Sequence, residues 1–245
     1  MAEERHKAER AIIMAAGKGK RMQPLTLETP KPLIKVNGVR MIDTIIRGLH
    51  ANGITEIYVV VGYLKEKFSE LPSEYPGLTL IENPYWDTCN NISSLYCARE
   101  HLDDCIILDG DQMIYNAGIL SREFGLSGYN AVWCGEGTDE WLLEVRNGVI
   151  RSCSRTGGSH GWQLYSISRW TREDGKKLKL HVEREFESGN RQIYWDDIAM
   201  FCYFDEYRLG IREMKRRDIA EIDGIEELAA IDPSYRDRID TKDEG

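Results

Sequence analysis

Four short apolar runs organise the first part of the chain: Ala11 to Ala16 (AIIMAA), Ile57 to Val61, Leu78 to Ile81 and Cys105 to Leu108. Each reads as a buried strand. Between them, Met41, Ile42, Ile45, Ile46 and Leu49 recur at helical spacing, with Gly53 as a stop, and Ile92, Leu95 and Tyr96 predict a second helix ending near Leu102. Strands that alternate with helices imply an α/β fold with a largely parallel sheet. Such sheets bind ligands beyond the carboxyl ends of their strands. The glycine loop after Ala16 and the acidic turn Asp109-Gly110-Asp111 after Leu108 both fall at that edge.

After Tyr129 the pattern turns to β. Ala131 to Cys134, Leu142 to Arg146, Val149 to Ser152 and Trp162 to Ile167 are predicted strands, and Asn147-Gly148 is a hairpin signal. Arg172 to Ser188 is predicted helical and solvated, and Asp197 to Phe201 is expected to open another helix. Ile219 to Ile222 reads as a last strand, with a helix after Gly224. The expected organisation is a charged extension over 1–10, one domain over 11–232 and a charged tail over 233–245.

At 42% hydrophobic, the 245-residue chain suits a compact domain. Its net charge of -9 opposes general nucleic-acid binding. No apolar run approaches the roughly 20 residues that cross a bilayer, and Met1 to Arg10 lacks a signal-peptide core, so a cytoplasmic protein without membrane insertion is expected. The six cysteines and five histidines are scattered, which argues against a disulfide frame or a zinc site.

Chemistry concentrates in Ala16-Gly17-Lys18-Gly19-Lys20-Arg21. Glycines at 17 and 19 permit a sharp turn whose N–H groups can cradle an anion, and Arg21 can grip a phosphate with two hydrogen bonds. The loop alone is also compatible with a surface turn carrying solvated lysines. A P-loop is excluded because G-x-x-x-x-G-K-[ST] is absent, and Met22 occupies the place of a dinucleotide loop's third glycine. In Thr29-Pro30-Lys31-Pro32-Leu33, prolines on both sides restrict the backbone around Lys31.

The run from Ala15 to Val36 resembles the nucleotidyltransferase signature A-G-x-G-x-R-[LM]-x-P-L-T followed by T-P-K-x-L. It matches at Ala16, Gly17, Gly19, Arg21, Met22, Pro24, Leu25, Thr26, Thr29, Pro30, Lys31 and Leu33. The resemblance implies a Rossmann-like nucleotidyltransferase fold, with a mixed, mostly parallel sheet flanked by helices and a small β-rich acceptor lobe. It also implies that the glycines and Arg21 hold a triphosphate, that Lys31 meets phosphate at the reacting centre, and that Asp111 holds Mg²⁺. Magnesium needs oxygen ligands, commonly one or two carboxylates plus phosphate and water. Tyr194-Trp195-Asp196-Asp197 is a second acidic site: Asp196 is expected to join Asp111 at the metal, and an N-cap role for either acid is the alternative.

Val61 to Glu66, Asn90-Asn91 with Ser94-Leu95-Tyr96, Glu140-Trp141, Tyr194-Trp195-Asp196 and Glu221-Ile222-Asp223 further resemble the bacterial CTP:phosphocholine cytidylyltransferases of the LicC type. That resemblance implies CTP and phosphocholine as substrates, with Mg²⁺. Ala16, Gly17, Gly19, Arg21, Asn90, Asn91 and Asp109 are then the candidates for the nucleotide, with the acceptor side as the alternative for Asn90 and Asn91, and Lys31 and Arg21 are the candidates for catalysis. A quaternary ammonium is recognised by aromatic faces and carboxylates, so Trp141, Tyr194, Trp195, Glu221 and Asp223 are the acceptor candidates. Core packing for the aromatics and solvation for the acids are the plain alternatives. 2-Aminoethylphosphonate, phosphoethanolamine or a sugar 1-phosphate would use the same chemistry. A non-catalytic nucleotide sensor would be expected to lack Lys31 or a magnesium Asp.

Overall fold

A computed structural model describes residues 5–238. Its main sheet has nine strands: β1 (Arg10–Ala15), β2 (Glu56–Val61), β3 (Leu78–Glu82), β4 (Cys105–Asp109), β5 (Gly128–Cys134), β6 (Leu142–Arg146), β7 (Val149–Ser154), β8 (Gly161–Trp170) and β9 (Gly210–Glu213), in the order β5-β9-β7-β6-β8-β4-β1-β2-β3. β4, β1, β2 and β3 run parallel. The other half is mainly antiparallel, with β5–β9 its one parallel pairing. "Mostly parallel" therefore describes only the first half. β8 joins the halves: Ile167–Trp170 pair with β4, residues between Gly161 and Arg169 pair with β5, and Trp162 and Gln163 pair with β6. Because β5 also pairs with β8, the second half closes on itself as a small β lobe.

Alternation along the parallel strands sorts side chains into two layers. Ile13, Val59 and Leu108 face helix α1 (Met41–Ala51), which answers with Ile42, Ile45, Ile46 and Leu49. Ile12, Val60 and Ile107 face α2 (Ile92–Cys97) and α3 (Arg172–Glu187) through Ile92, Leu95, Leu178 and Val182. The predicted strands and the helices α1 and α3 all form, while the helix at Ile92 stops at Cys97, short of Leu102. A five-residue π-helical turn, Ile198–Cys202, replaces the helix expected from Asp197. β9 and the strand Gln112–Ile114 have no counterpart in the sequence reading, whereas the predicted last strand forms as Ile219–Glu221 and pairs with Gln112–Ile114 in a short separate ribbon.

The expected extension over 1–10 is partly built into the fold. His6–Lys7 pair with Glu123–Phe124, Ala8 is buried, and Arg10 opens β1 with ion pairs to Asp103 at 2.6 Å and Glu56 at 3.0 Å. At the other end, Tyr235 donates to the Lys35 carbonyl at 2.8 Å, so the start of the expected tail also docks. Residues 1–4 and 239–245 lie outside the described residues. Among the described residues no helix is long and apolar enough to cross a membrane, and all six cysteines are free.

α3 meets the rest of the fold at a glycine. A Cβ on Gly175 would lie 2.0 Å from the Leu102 carbonyl oxygen. Alanine in mid-helix normally gains about 1 kcal/mol over glycine, but overpacking against backbone costs about 1–3 kcal/mol. Gly175→Ala is therefore expected to lower the denaturant midpoint, and a raised midpoint would show that α3 is not held this close.

Candidate active site

The parallel strands deliver the site. β1 and β4 lie in register with Met14 opposite Asp109, so the loop after Ala15 and the turn after Asp109 emerge side by side. The Gly110 N–H donates to the Met14 carbonyl at 2.8 Å and ties them together. Gly19 has φ 61°, and the Thr26 hydroxyl donates to its carbonyl at 2.9 Å. A Cβ there would also meet Thr26 Cγ2 at 3.0 Å, so both conformation and space require glycine. Lys31 opens the tight turn Lys31–Leu33, closed by Leu33 N–H donating to the Pro30 carbonyl at 2.8 Å.

This turn aims Lys31 inward, where it is only 7% exposed. Its ammonium donates to Asp111 Oδ2 at 2.6 Å and to Asp223 Oδ1 at 2.9 Å. Burial opposes its charge, but Asp111 and Asp223 together hold its pKa above the ordinary lysine value. Arg21 reaches Asp223 Oδ1 at 3.0 Å from a largely exposed position.

Two connected spaces open here. A cleft of about 930 Å³ is lined by Ala16, Gly17, Gly19, Arg21, Asn90, Asn91 and Asp109, all seven residues expected at a nucleotide, together with Lys18, Lys20 and Lys31. A deeper cavity of about 310 Å³ shares Arg21, Asn91, Asp109, Asp111, Tyr194 and Asp223 with it and adds Glu140, Trp141, Asp196 and Glu221. Residues from six separate stretches of chain thus meet in one place, with Arg21 and Asp111 facing one cleft as expected.

The deeper cavity is crowded with acid. Burial, then the neighbouring Asp111, pushes Asp109 up to about 7. Burial pushes Glu221 up to about 8, although Gln112 donates to its Oε1 at 2.9 Å. Asp196 is raised well above the carboxylate range by burial and then by Asp109. The Tyr129 hydroxyl opposes that rise without reaching hydrogen-bond geometry, and Asp196 Oδ1 is buried with no partner. Carboxylates in this state favour a cation.

Several expectations change. Trp195 does not line the cavity: it is 0% exposed and packs between Tyr129, at 6.0 Å, and Trp170, at 6.4 Å, so core packing claims it. Trp141 and Tyr194 do line it, their rings perpendicular at 89° with centroids 6.0 Å apart. Asp223 lines the cavity, but its carboxylate is paired with Lys31 and Arg21 instead of standing free as a counter-charge. The two adjacent acids divide their roles. Asp197 accepts from the Tyr194 N–H at 2.9 Å and pairs with Arg155, while Asp196 faces the cavity. The Asn90 and Asn91 side chains are partly engaged in structure: Asn90 donates to the Gln192 carbonyl at 3.2 Å, and Asn91 Oδ1 accepts from the Trp195 N–H at 2.8 Å. Glu140, which lines the cavity, was missed, as were Gln112 and Tyr129, which are buried behind it against Glu221 and Asp196. Only Glu140 carried a signal, its place beside Trp141.

Residues 11–163 match the MobA-like NTP transferase domain family. The chain is 38% identical over 229 residues to a 2-aminoethylphosphonate cytidylyltransferase from Lancefieldella rimae, covering 92% of each. It is 30% identical to a choline-phosphate cytidylyltransferase from Streptococcus pneumoniae, covering 91% of this chain and 96% of the relative. The solved structure of CTP:phosphocholine cytidylyltransferase from Streptococcus pneumoniae superposes with a TM-score of 0.86 at 29% identity, over 93% of this chain and 99% of that one.

Proposed function

We propose that this chain, which belongs to the MobA-like NTP transferase family and is a nucleotidyltransferase, transfers CMP from CTP to 2-aminoethylphosphonate, releasing pyrophosphate. The observation that carries this acceptor is the balance of groups in the deeper cavity. Of the acids that line it, Asp111 and Asp223 are paired with Lys31, while Glu140 and Glu221 remain to meet an acceptor, against two aromatic side chains, Trp141 and Tyr194. With Trp195 in the core, no third aromatic side chain among the described residues lines this cavity to close a cage around a quaternary ammonium. A primary ammonium carries three N–H donors, which suit poorly solvated carboxylates such as Glu221. A trimethylammonium has none to give. The relative from Lancefieldella rimae supports the same acceptor.

Phosphocholine is the second reading. The perpendicular Trp141 and Tyr194 faces favour it, as does the likeness to the Streptococcus pneumoniae enzyme.

The chemistry asks little of side chains beyond position and charge. An acceptor phosphonate oxygen, already anionic near neutral pH, forms its bond to the α-phosphorus of CTP as the α–β oxygen bond breaks and pyrophosphate departs. The N–H groups of the Gly17–Gly19 loop and the Arg21 guanidinium would hold the triphosphate. Lys31, pre-placed by Asp111 and Asp223, would offset charge on the transferring phosphate. The buried, partnerless Asp196 Oδ1 and the surplus of acids fit a divalent cation, with Asp111 and Asp196 as the residues to hold it. Among the described residues no three Asp, Glu, His or Cys side chains form a metal site by themselves, so such an ion would have to take its other ligands from phosphate and water. Mg²⁺, when bound, would neutralise triphosphate charge and polarise the phosphoryl group.

Pyrophosphate release tests the reading, with CTP, UTP, ATP and GTP crossed against 2-aminoethylphosphonate, phosphoethanolamine and phosphocholine. The expected result is turnover with CTP, and kcat/KM falling in that acceptor order. A preference for phosphocholine would restore the aromatic-corner reading. Binding of CTP with no pyrophosphate from any acceptor would favour a sensor.

A further inference from the structure

Gln112 follows Asp111 directly, yet it does not line the cavity. It is 0% exposed, in the short strand Gln112–Ile114, with Glu221 as its partner in the antiparallel register. Its Nε2 donates to Glu221 Oε1 at 2.9 Å. A fully buried glutamine is uncommon without a task, and this one leaves its own Oε1 buried without a partner. An apolar side chain of the same length would fill the space without that penalty. What the amide does provide is a fixed direction for the Glu221 carboxylate. Glu221 ends the strand Ile219–Glu221, where the ribbon stops, and its side chain has the cavity in front and Gln112 behind. No other hydrogen bond to the Glu221 carboxylate accompanies it among the described residues.

We propose that Gln112 is a positioning residue for acceptor recognition: by holding Glu221 Oε1 from behind, it turns the carboxylate toward the acceptor's ammonium and so contributes to choosing among phosphorylated amines. This rests on the reading of the deeper cavity as the acceptor site. A quaternary ammonium is attracted by charge with little regard to direction, whereas N–H donors need an oriented acceptor. Loosening Glu221 should therefore harm a primary amine more than choline.

The test is a double-mutant cycle on the full chain with Gln112→Met, which keeps length but removes the amide, Glu221→Gln, and the pair. It is read as KM and kcat for 2-aminoethylphosphonate and phosphocholine, and as KM for CTP. Gln112→Met is expected to raise KM for 2-aminoethylphosphonate about tenfold, the scale of one hydrogen bond to a charged group. Its effect on phosphocholine should be smaller, and kcat and KM for CTP should stay within about twofold. The double variant should resemble Glu221→Gln alone, because Gln112 acts through that carboxylate. Additive effects, or equal losses for both acceptors and for CTP, would overturn the proposal and leave Gln112 as packing beside Asp111. If Gln112→Met does not fold, Gln112→Asn, which keeps the amide but pulls it back, is read in the same cycle. The outcome is separable from the acceptor assignment: if the wild type prefers phosphocholine, coupling of Gln112 to Glu221 still shows in the cycle with that acceptor, and only the ranking fails.

Discussion

Asp111→Asn and Asp196→Asn are each expected to lower kcat by about 10²–10⁴-fold, the effect of losing several kcal/mol of charge stabilisation at a phosphoryl transfer. The fold should survive both. Asp111 shares Lys31 with Asp223, so the ammonium keeps one partner when Asp111 is neutral. Asp196 is a buried carboxyl with a partnerless oxygen, and an amide of the same shape removes a charge without opening a cavity. Thermal stability of Asp196→Asn without metal should therefore equal or exceed that of the wild type while activity falls. Turnover measured across a magnesium titration, with the melting temperature of the same samples, checks both statements. Near-normal turnover of both variants at saturating magnesium would show that the metal site has been placed wrongly.

Lys31→Met is the second large effect. Removing one charge-stabilising donor from a transition state typically costs about 10²–10³-fold in kcat. The affinity for CTP should change far less, because Lys18, Lys20 and Arg21 remain in the outer cleft and because charge redistributes most strongly as the bond to pyrophosphate breaks. Lys31→Arg should not rescue. The side chain sits 7% exposed with its compact ammonium between two carboxylates at 2.6 and 2.9 Å, and a planar fork presents its donors in a different geometry. Stability should fall modestly, since Asp111 and Asp223 are partly solvated and can relax into the cleft when the ammonium is lost. Single-turnover rates at saturating CTP, set beside equilibrium CTP binding, separate the two roles. A change confined to binding would make Lys31 an ordinary phosphate contact.

What could be read from the linear chain is what local covalent structure dictates. Gly19 must be glycine because its φ is positive and Thr26 closes over it, a constraint within seven residues. Pro30 and Pro32 fix the turn that carries Lys31, and the apolar runs before Gly17 and Asp109 become adjacent parallel strands. A glycine turn, a lysine and an acid at one sheet edge were therefore visible in advance. Assignments that depend on which side chain wins a shared space were not. Trp141 and Trp195 look alike in sequence, yet one meets Tyr194 at the cavity and the other fills the core between Tyr129 and Trp170. Asp196 and Asp197 are neighbours, and only the turn that lets Asp197 accept from the Tyr194 N–H sends Asp196 into the cavity. Strand β9 carries no apolar run and forms because β5 offers it an edge. The contacts at the acid-rich cavity join Lys31 to Asp223, 192 residues away, and Gln112 to Glu221, 109 away. Such pairs leave no periodic trace in a sequence, because their energy depends on burial and direction, which exist only once the sheet has closed.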